Sequence, residues 1–300
     1  METSTNINSN LTNQTPVFQT PSISSSAMLV ELNISTWTGR KFDKTVSQEV
    51  DTAKNTTTRG GNYSKRLFAD APIFDAIQKF AGNARTFHYH STMPWSDSGL
   101  RLLTTKMYFD YHKAITGMEM EFDTLVDKFI ASYDDLVLEA QSKLGDLFSH
   151  TDYPHKEDIK DKFRFSVKYA PVPEAGDFRV DINNDAMQEL QTNYQNYYAN
   201  NLQEAMRDVW DRTHEVLSNM SSKLSGNKKQ IFRDTLVTNV TEMCDLLEKF
   251  NVTDDPKLKQ AKLRIENTLR GITPDALRED DGLRLETKSK VDALLKEMSW

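Results

Sequence analysis

Cysteine is almost missing from this 300-residue chain: Cys244 is the only one, so no disulfide can form within it. Its surroundings, Thr241-Glu-Met-Cys-Asp-Leu-Leu247, place the thiol on a helix, where a lone cysteine behaves as a small buried apolar group rather than a nucleophile. Long apolar runs are missing too. No stretch approaches the ~18 consecutive apolar residues of a membrane span, and the first residues have neither the basic nor the apolar part of a secretory signal. The expectation is a protein inside the cell without membrane contact, for which the Asn-x-Ser/Thr triplets at Asn10, Asn33 and Asn239 carry no meaning. Positive charge is in deficit, 37 Lys and Arg against 44 Asp and Glu, a net charge of −7. That balance argues against bulk attraction to nucleic acid or anionic lipid while leaving room for a local basic patch. No Walker loop is present, since no Gly-Lys-Ser/Thr follows the glycines at Gly60-Gly61. A hydrophobic fraction of 38% is low for a compact globule and suits elongated helices with wide solvated faces.

What is present is helical periodicity. From Asp185 to Leu224, apolar residues recur at Met187, Leu190, Tyr194, Tyr197, Ala205, Val209, Val216, Met220 and Leu224, with Leu202 one step off register. A second stripe runs through Tyr108, Tyr111, Ile115, Met118, Phe122, Leu125, Phe129, Leu136, Ala140 and Leu144. Spacings of three and four put each set on one face of a helix of about 40 residues, roughly 60 Å long, that cannot bury its stripe alone. The spacing predicts that the two helices pack together.

The expected class is α+β, predominantly α: a long antiparallel helical pair, a coiled-coil-like arm, on a base of a small β-sheet and C-terminal helices. Residues 1–27, rich in Ser, Thr, Asn and Gln, form a disordered tail in this scheme. Residues 28–105 supply the N-terminal α+β part of the base, beginning with a strand in which Met28, Val30, Leu32 and Ile34 alternate with their neighbours. A short helix from Arg40 to about Lys54, a helical region from Tyr63 resuming after Pro72, and an irregular stretch from His88 to Thr105 complete it. Residues 106–148 are the first arm helix, 149–183 a β-hairpin with strands around Phe163 to Tyr169 and Phe178 to Ile182, 184–225 the second arm helix, and 226–300 the C-terminal helices. Asp255-Pro256 and Thr273-Pro274 read as helix-starting pairs, and Gly226 as the end of the second arm helix.

Candidate sites are few. From Gly39 to Arg66, the basic residues Arg40, Lys41, Lys44, Lys54, Arg59, Lys65 and Arg66 face Asp43, Glu49 and Asp51, a local net of +4. With the flexible Arg59-Gly60-Gly61 turn, whose N–H groups could approach a phosphate, this is the candidate binding patch; its plainer reading is a solvated face. From Glu119 to Asp146, eight acids face Lys128 and Lys143, a local net of −6, and the opposite signs could steer a protein partner or a second copy of the chain. His88 and His90, on a strand, would point the same way and could share a zinc ion with Asp97 or His112. Packed histidines explain the pattern better, and His150, Asp152 and His155 suit a helix end, so no metal and no cofactor is assigned. Tyr194, Tyr197 and Tyr198 read as a packed seam rather than a base-stacking platform.

Several segments carry a resemblance: Leu32–Asp43 with Glu49-Val50, Gly61–Lys65, Ala76–Ala81, Met93–Asp97, Pro171–Asp181, Ile231–Asn239 and Asn251–Pro256. In these the chain is similar to a family of uncharacterised proteins of tailed phages and prophages, sometimes encoded near a MoxR-like AAA ATPase and a von Willebrand A-like protein. The likeness spans nearly all of the chain after the tail and supplies no catalytic residues. It implies a non-enzymatic adaptor in the cytoplasm of an infected bacterium, acting on a protein partner such as that ATPase or on itself. The alternative is a nucleic-acid-associated protein of phage replication, recombination or defence evasion that uses the basic patch.

Overall fold

The computed structural model describes residues 22–173, 184–225 and 233–298. The fold is α+β and mostly helical, the class expected. In chain order it comprises β1 (Ala27–Ser35), β2 (Arg40–Phe42), α1 (Lys44–Ala53), β3 (Ser64–Arg66), α2 (Pro72–His90), β4 (Met93–Pro94), β5 (Arg101–Thr104), α3 (Tyr108–Ala131) and α4 (Tyr133–Leu144). Two short 3₁₀ turns lead to α5 (Lys156–Lys160) and β6 (Arg164–Pro171), followed by α6 (Asn184–Leu224), α7 (Thr235–Phe250), α8 (Pro256–Leu269), α9 (Pro274–Glu279) and α10 (Asp281–Glu297).

β1 is one of the two inner strands of an antiparallel sheet ordered β4-β5-β1-β6. It pairs on one side with β5, Met28 opposite Leu103, and on the other with β6, Leu32 opposite Val167. Its successive residues Leu29 and Val30 are both buried, so the strand is covered on both faces at its start. Part of the expected tail is ordered: Ile23 is buried, and its N–H donates to Tyr198 Oη at 3.0 Å. Residues 1–21 lie outside the described residues. At the far end of β1, the Gln78 side chain of α2 accepts from Thr36 Oγ1 at 2.9 Å and donates to Trp37 O at 2.7 Å, turning the chain over the helix. Gly39 follows with φ +58°, and a Cβ there would lie 2.6 Å from the Phe74 ring, so this turn requires glycine.

Four local expectations are corrected. Residues 40–42 begin a strand rather than a helix, and residues 64–66, expected helical, are its antiparallel partner, with Arg40 opposite Arg66 and Lys41 opposite Lys65. Pairing between segments distant in sequence overrides local propensity here. The stretch from His88 to Thr105 is not irregular: α2 runs through His90, and β4 and β5 are strands too short to show a period. The first arm helix is two helices. Ser132 has φ −92° and ψ 5°, and its hydroxyl donates back to Lys128 O and Phe129 O at 3.0 and 3.2 Å, which ends α3 before α4 starts.

The arm itself is also corrected, because the two long stripes find other partners. α3 buries Tyr111, Ile115, Phe122, Val126 and Phe129 against α2, α5 and β6. α2 offers Phe74, Ile77, Ala81 and Ala84, whose alanines admit a close neighbour. α6 packs on α7, α10 and β4, burying Leu202, Ala205, Val209, Leu217, Met220 and Leu224. The α3 stripe and the second half of the α6 stripe are thus covered within their own neighbourhoods rather than by each other, while Leu190 and Tyr197 in the first half of α6 stay exposed. The second strand of the expected hairpin, Asn183 and Gly226 lie outside the described residues. α7 starts at Thr235, later than the expected Lys228, but α8 and α9 start where expected: Asp255 and Thr273 accept from Lys257 N and Ala276 N at 2.8 and 3.2 Å, with Pro256 and Pro274 in the first turn.

Phe129, fully buried, sits among Phe68, Phe74, Phe163 and Tyr133 at ring separations of 5.3 to 6.0 Å. Phe129→Ala is expected to lower unfolding stability by about 3–5 kcal/mol, because the lost contacts join four elements that cannot all collapse inward. Phe109→Ala, 79% exposed on the same helix, should stay within about 0.5 kcal/mol in the same urea titration.

Candidate functional site

The basic stretch folds into a two-stranded ribbon capped by α1. Asp43 caps α1 by accepting from Val46 N at 3.1 Å, and Ser47 Oγ accepts from Tyr63 N at 2.9 Å, holding the start of β3 against the helix. The loop 55–62 is folded back onto α1: Asp51 Oδ1 accepts the Gly60 N–H at 3.0 Å. That N–H is therefore committed, and the expected phosphate approach at Gly60 is corrected. A concavity of about 360 Å³ remains between α1 and this loop, lined by Val50, Lys54, Gly61 and Tyr63 among others.

Lys65 does not belong to the exposed patch, a second correction. It is 6% exposed, its ammonium lies 2.7 Å from Asp152 Oδ2 and 3.4 Å from Asp43 Oδ2, and it donates to Leu147 O at 2.6 Å. Burial pulls its pKa down, but the hydrogen bonds and charges of Asp152 and Asp43 more than offset that, so the ammonium is held above its ordinary value. The Val46 N–H foremost, together with Lys65, holds the Asp43 carboxyl below its ordinary value against the effect of its own desolvation. Arg40, Lys41, Lys44, Arg59 and Arg66 are exposed, as is Lys54. Arg66 pairs with Asp75 at 3.2 Å, and the Arg59 guanidinium lies 5.5 Å over the ring of Phe42.

Strand alternation sorts these side chains. Tyr63 O accepts from Asp43 N and Gly39 O from Leu67 N, so Arg40, Phe42 and Arg66 share the ribbon face opposite Lys65. Lys65 points into its own chain; Arg40, Phe42 and Arg66 point away from that anchor. Phe42 is 43% exposed there, and Val50 and Tyr63 are exposed at the concavity.

The histidine pair is corrected by its secondary structure. His88 and His90 lie on a helix, not a strand, and two residues apart on a helix face different ways. His88 is buried, with Nδ1 2.7 Å from Tyr111 Oη, while His90 is exposed. Burial first, and the nearby Arg101 second, push the His88 pKa down to about 4, and burial pushes the Tyr111 hydroxyl up. Among the described residues, no group of three or more His, Cys, Asp or Glu is gathered around a metal-sized point. Cys244 is buried, and its thiol is pushed up to about 12, chiefly by burial.

Periodicity alone missed one polar feature. Arg212 of α6 donates to His90 O and Thr92 O at 3.2 and 2.9 Å and pairs with Asp208 at 2.7 Å. Arg101 donates to Thr92 Oγ1 at 2.7 Å and lies 4.9 Å over Tyr89. Burial raises the Asp208 carboxyl, with Arg212 opposing. Arg212 thus satisfies a C-terminal carbonyl of α2, and with Asp208 it forms one wall of a cleft of about 810 Å³ between α2, α6 and α7. Arg212 closes the end of α2, and Arg101 holds the Thr92 turn that follows it. The only sequence signal was an arginine at each position.

Compared with family models, curated proteins and solved structures, the chain matches none. Among the described residues, no helix is long and apolar enough to cross a membrane.

Two consequences are measurable. Lys65→Met leaves the carboxylates of Asp43 and Asp152 facing each other without a cation and should cost about 2–3 kcal/mol in urea unfolding at pH 7, whereas Arg40→Gln should cost under about 0.5 kcal/mol. A histidine whose folded pKa is lowered binds its proton more readily once unfolded. His88 therefore draws stability away as pH falls from its ordinary 6.5 through about 4. In His88→Gln, the stability lost between pH 7 and pH 4.5 should shrink by roughly 2–3 kcal/mol relative to the parent chain.

Proposed function

We propose that this chain is a non-enzymatic, phage-encoded adaptor working through protein–protein contacts in the cytoplasm of an infected bacterium, with a AAA ATPase of the MoxR type as the partner class. The observation that carries the reading is the ribbon–α1 surface. Exposed Phe42 stands with the exposed cations Arg40, Arg59 and Arg66 on the outer ribbon face, and exposed Val50 and Tyr63 line the concavity with Lys54, on a support fixed by the buried Lys65 network. An aromatic anchor within a polar rim is how protein interfaces concentrate their affinity, and the rigid support lowers the entropy lost on binding. On α3 the stripe residues Tyr111, Ile115, Phe122, Val126 and Phe129 are core and offer no contact surface, whereas Met120 is exposed. The phage setting and the ATPase rest on the segment likeness alone.

The second reading, nucleic-acid association, is favoured by those same cations with Phe42 and Tyr63 beside them, and it is opposed by the overall charge of −7. Affinity purification of the tagged chain from infected cells, with nuclease treatment and mass spectrometry, separates the two. The adaptor reading expects a defined protein recovered after nuclease and reduced at least about tenfold in the Arg40→Glu/Lys41→Glu/Arg59→Glu variant with unchanged circular dichroism. Recovery that vanishes with nuclease, together with a steep fall in oligonucleotide binding as salt rises, would overturn it in favour of the second.

A further inference from the structure

The ribbon face has a counterpart elsewhere on the same molecule. On α4, Leu138 is 64% exposed, an unusual position for a large aliphatic side chain near the middle of a twelve-residue helix. Asp134 and Asp135 lie one turn before it, and Glu139 lies one turn on from Asp135. Asp134 is paired with Lys156 at 3.3 Å and Glu139 with Lys143 at 3.0 Å, both near the surface. Asp135 has no ion-pair partner among the described residues. An apolar side chain flanked by acids on α4 thus matches an apolar side chain, Phe42, flanked by Arg40, Arg59 and Arg66 on the ribbon.

Among the described residues no ion pair or hydrogen bond joins the two faces within one chain. Both ends of α4 are tied to β3 and the turn after it: the Tyr133 ring lies 5.7 Å from that of Phe68, and just beyond α4 Leu147 O accepts from Lys65. Lys65 uses the inner ribbon face for that anchor, so Arg40, Phe42 and Arg66 look the other way. The ribbon also carries an internal cost that an incoming acid would relieve. Arg40 and Arg66 stand directly opposite each other in the ladder, and only Arg66 has a carboxylate, the exposed Asp75.

We propose that the occupant of the ribbon face is a second copy of this chain, presenting the Asp134–Glu139 face of α4 so that Leu138 meets Phe42 while Asp135 and Glu139 meet Arg40 and Arg59. This rests on the reading of the ribbon as a protein-contact surface and names its partner. The contact joins unlike patches. It therefore closes as a dimer if the geometry is two-fold and continues to larger rings or filaments if it is not.

The test is sedimentation equilibrium of the full chain at low and high salt, up to about 100 µM, a concentration that populates a weak interface. The expected result is an average mass rising above the 34.4 kDa of one chain with concentration and falling back as salt screens the charges. Arg40→Glu/Arg59→Glu and, separately, Asp135→Arg/Glu139→Arg should each weaken association at least about tenfold, and the variant carrying all four changes should regain it. Regain by the fourfold variant also shows that neither pair of changes acted by unfolding the chain. A parent chain that remains at one chain's mass throughout, or a fourfold variant that fails to regain association, overturns the proposal. Nuclease-resistant capture of a different protein would in that case leave the adaptor reading standing by itself.

Discussion

The aromatic cluster centred on Phe129 is the constraint from which the rest of the molecule follows. Phe68 lies in the turn after β3, Phe74 in α2, Phe129 in α3, Tyr133 in α4 and Tyr153 just before α5, and all are within about ring-contact distance of Phe68 or Phe129. No one of these segments could hold its rings out of water alone. Because they meet at one place, the helix break at Ser132 is tolerated: Tyr133 starts the new helix already docked on Phe68, and its hydroxyl donates to Pro154 O at 2.9 Å. Trp37 joins the same cluster at 5.5 Å from Phe68, so the end of β1 and the start of the ribbon are set by it as well.

Lys65 contributes differently. A buried ammonium with two carboxylates adds little net stability over an apolar substitute, since taking the charges from water offsets most of their attraction. Its effect is on register. A two-stranded ribbon with three residues a side has weak pairing of its own, and a shift by one residue would turn Lys65 outward and Arg66 toward Asp152. The ion network holds Lys65 inward and so decides which cations the opposite face displays.

Features governed by neighbours in sequence were legible in advance. The caps at Asp255 and Thr273 with their prolines, the alternation of β1 and the helical periods of α3 and α6 all arise within one or two turns of chain. The ribbon was not legible, because charged three-residue strands have no hydrophobic period and each depends on the other. The partner of each long helix was not legible either: a stripe states that something must cover it, and α2, α7 and α10 are as good a cover as another long helix. At the candidate site, the local surplus of positive charge was readable, but which lysine is buried was not, since the Leu147 carbonyl that receives Lys65 is 82 positions away. The histidines were misplaced for a related reason, the length of α2 being set by its packing on α3 rather than by the residues at its end.

α6 is continuous over 41 residues yet meets the protein unevenly. From Leu202 onward it alternates buried positions with exposed ones at every turn, whereas between Asp185 and Asn200 no residue is fully buried. In that first part Tyr194 donates to Pro173 O at 2.5 Å, and Tyr198 meets the edge of Trp95 and accepts from Ile23 N, side-chain tethers in place of a packed face. A helix held in this way has amide hydrogens of two kinds. Those of its second half exchange with solvent only when the surrounding core opens, while those of its first half exchange by fraying turn by turn from the amino end, so one unbroken helix divides into two units of local unfolding.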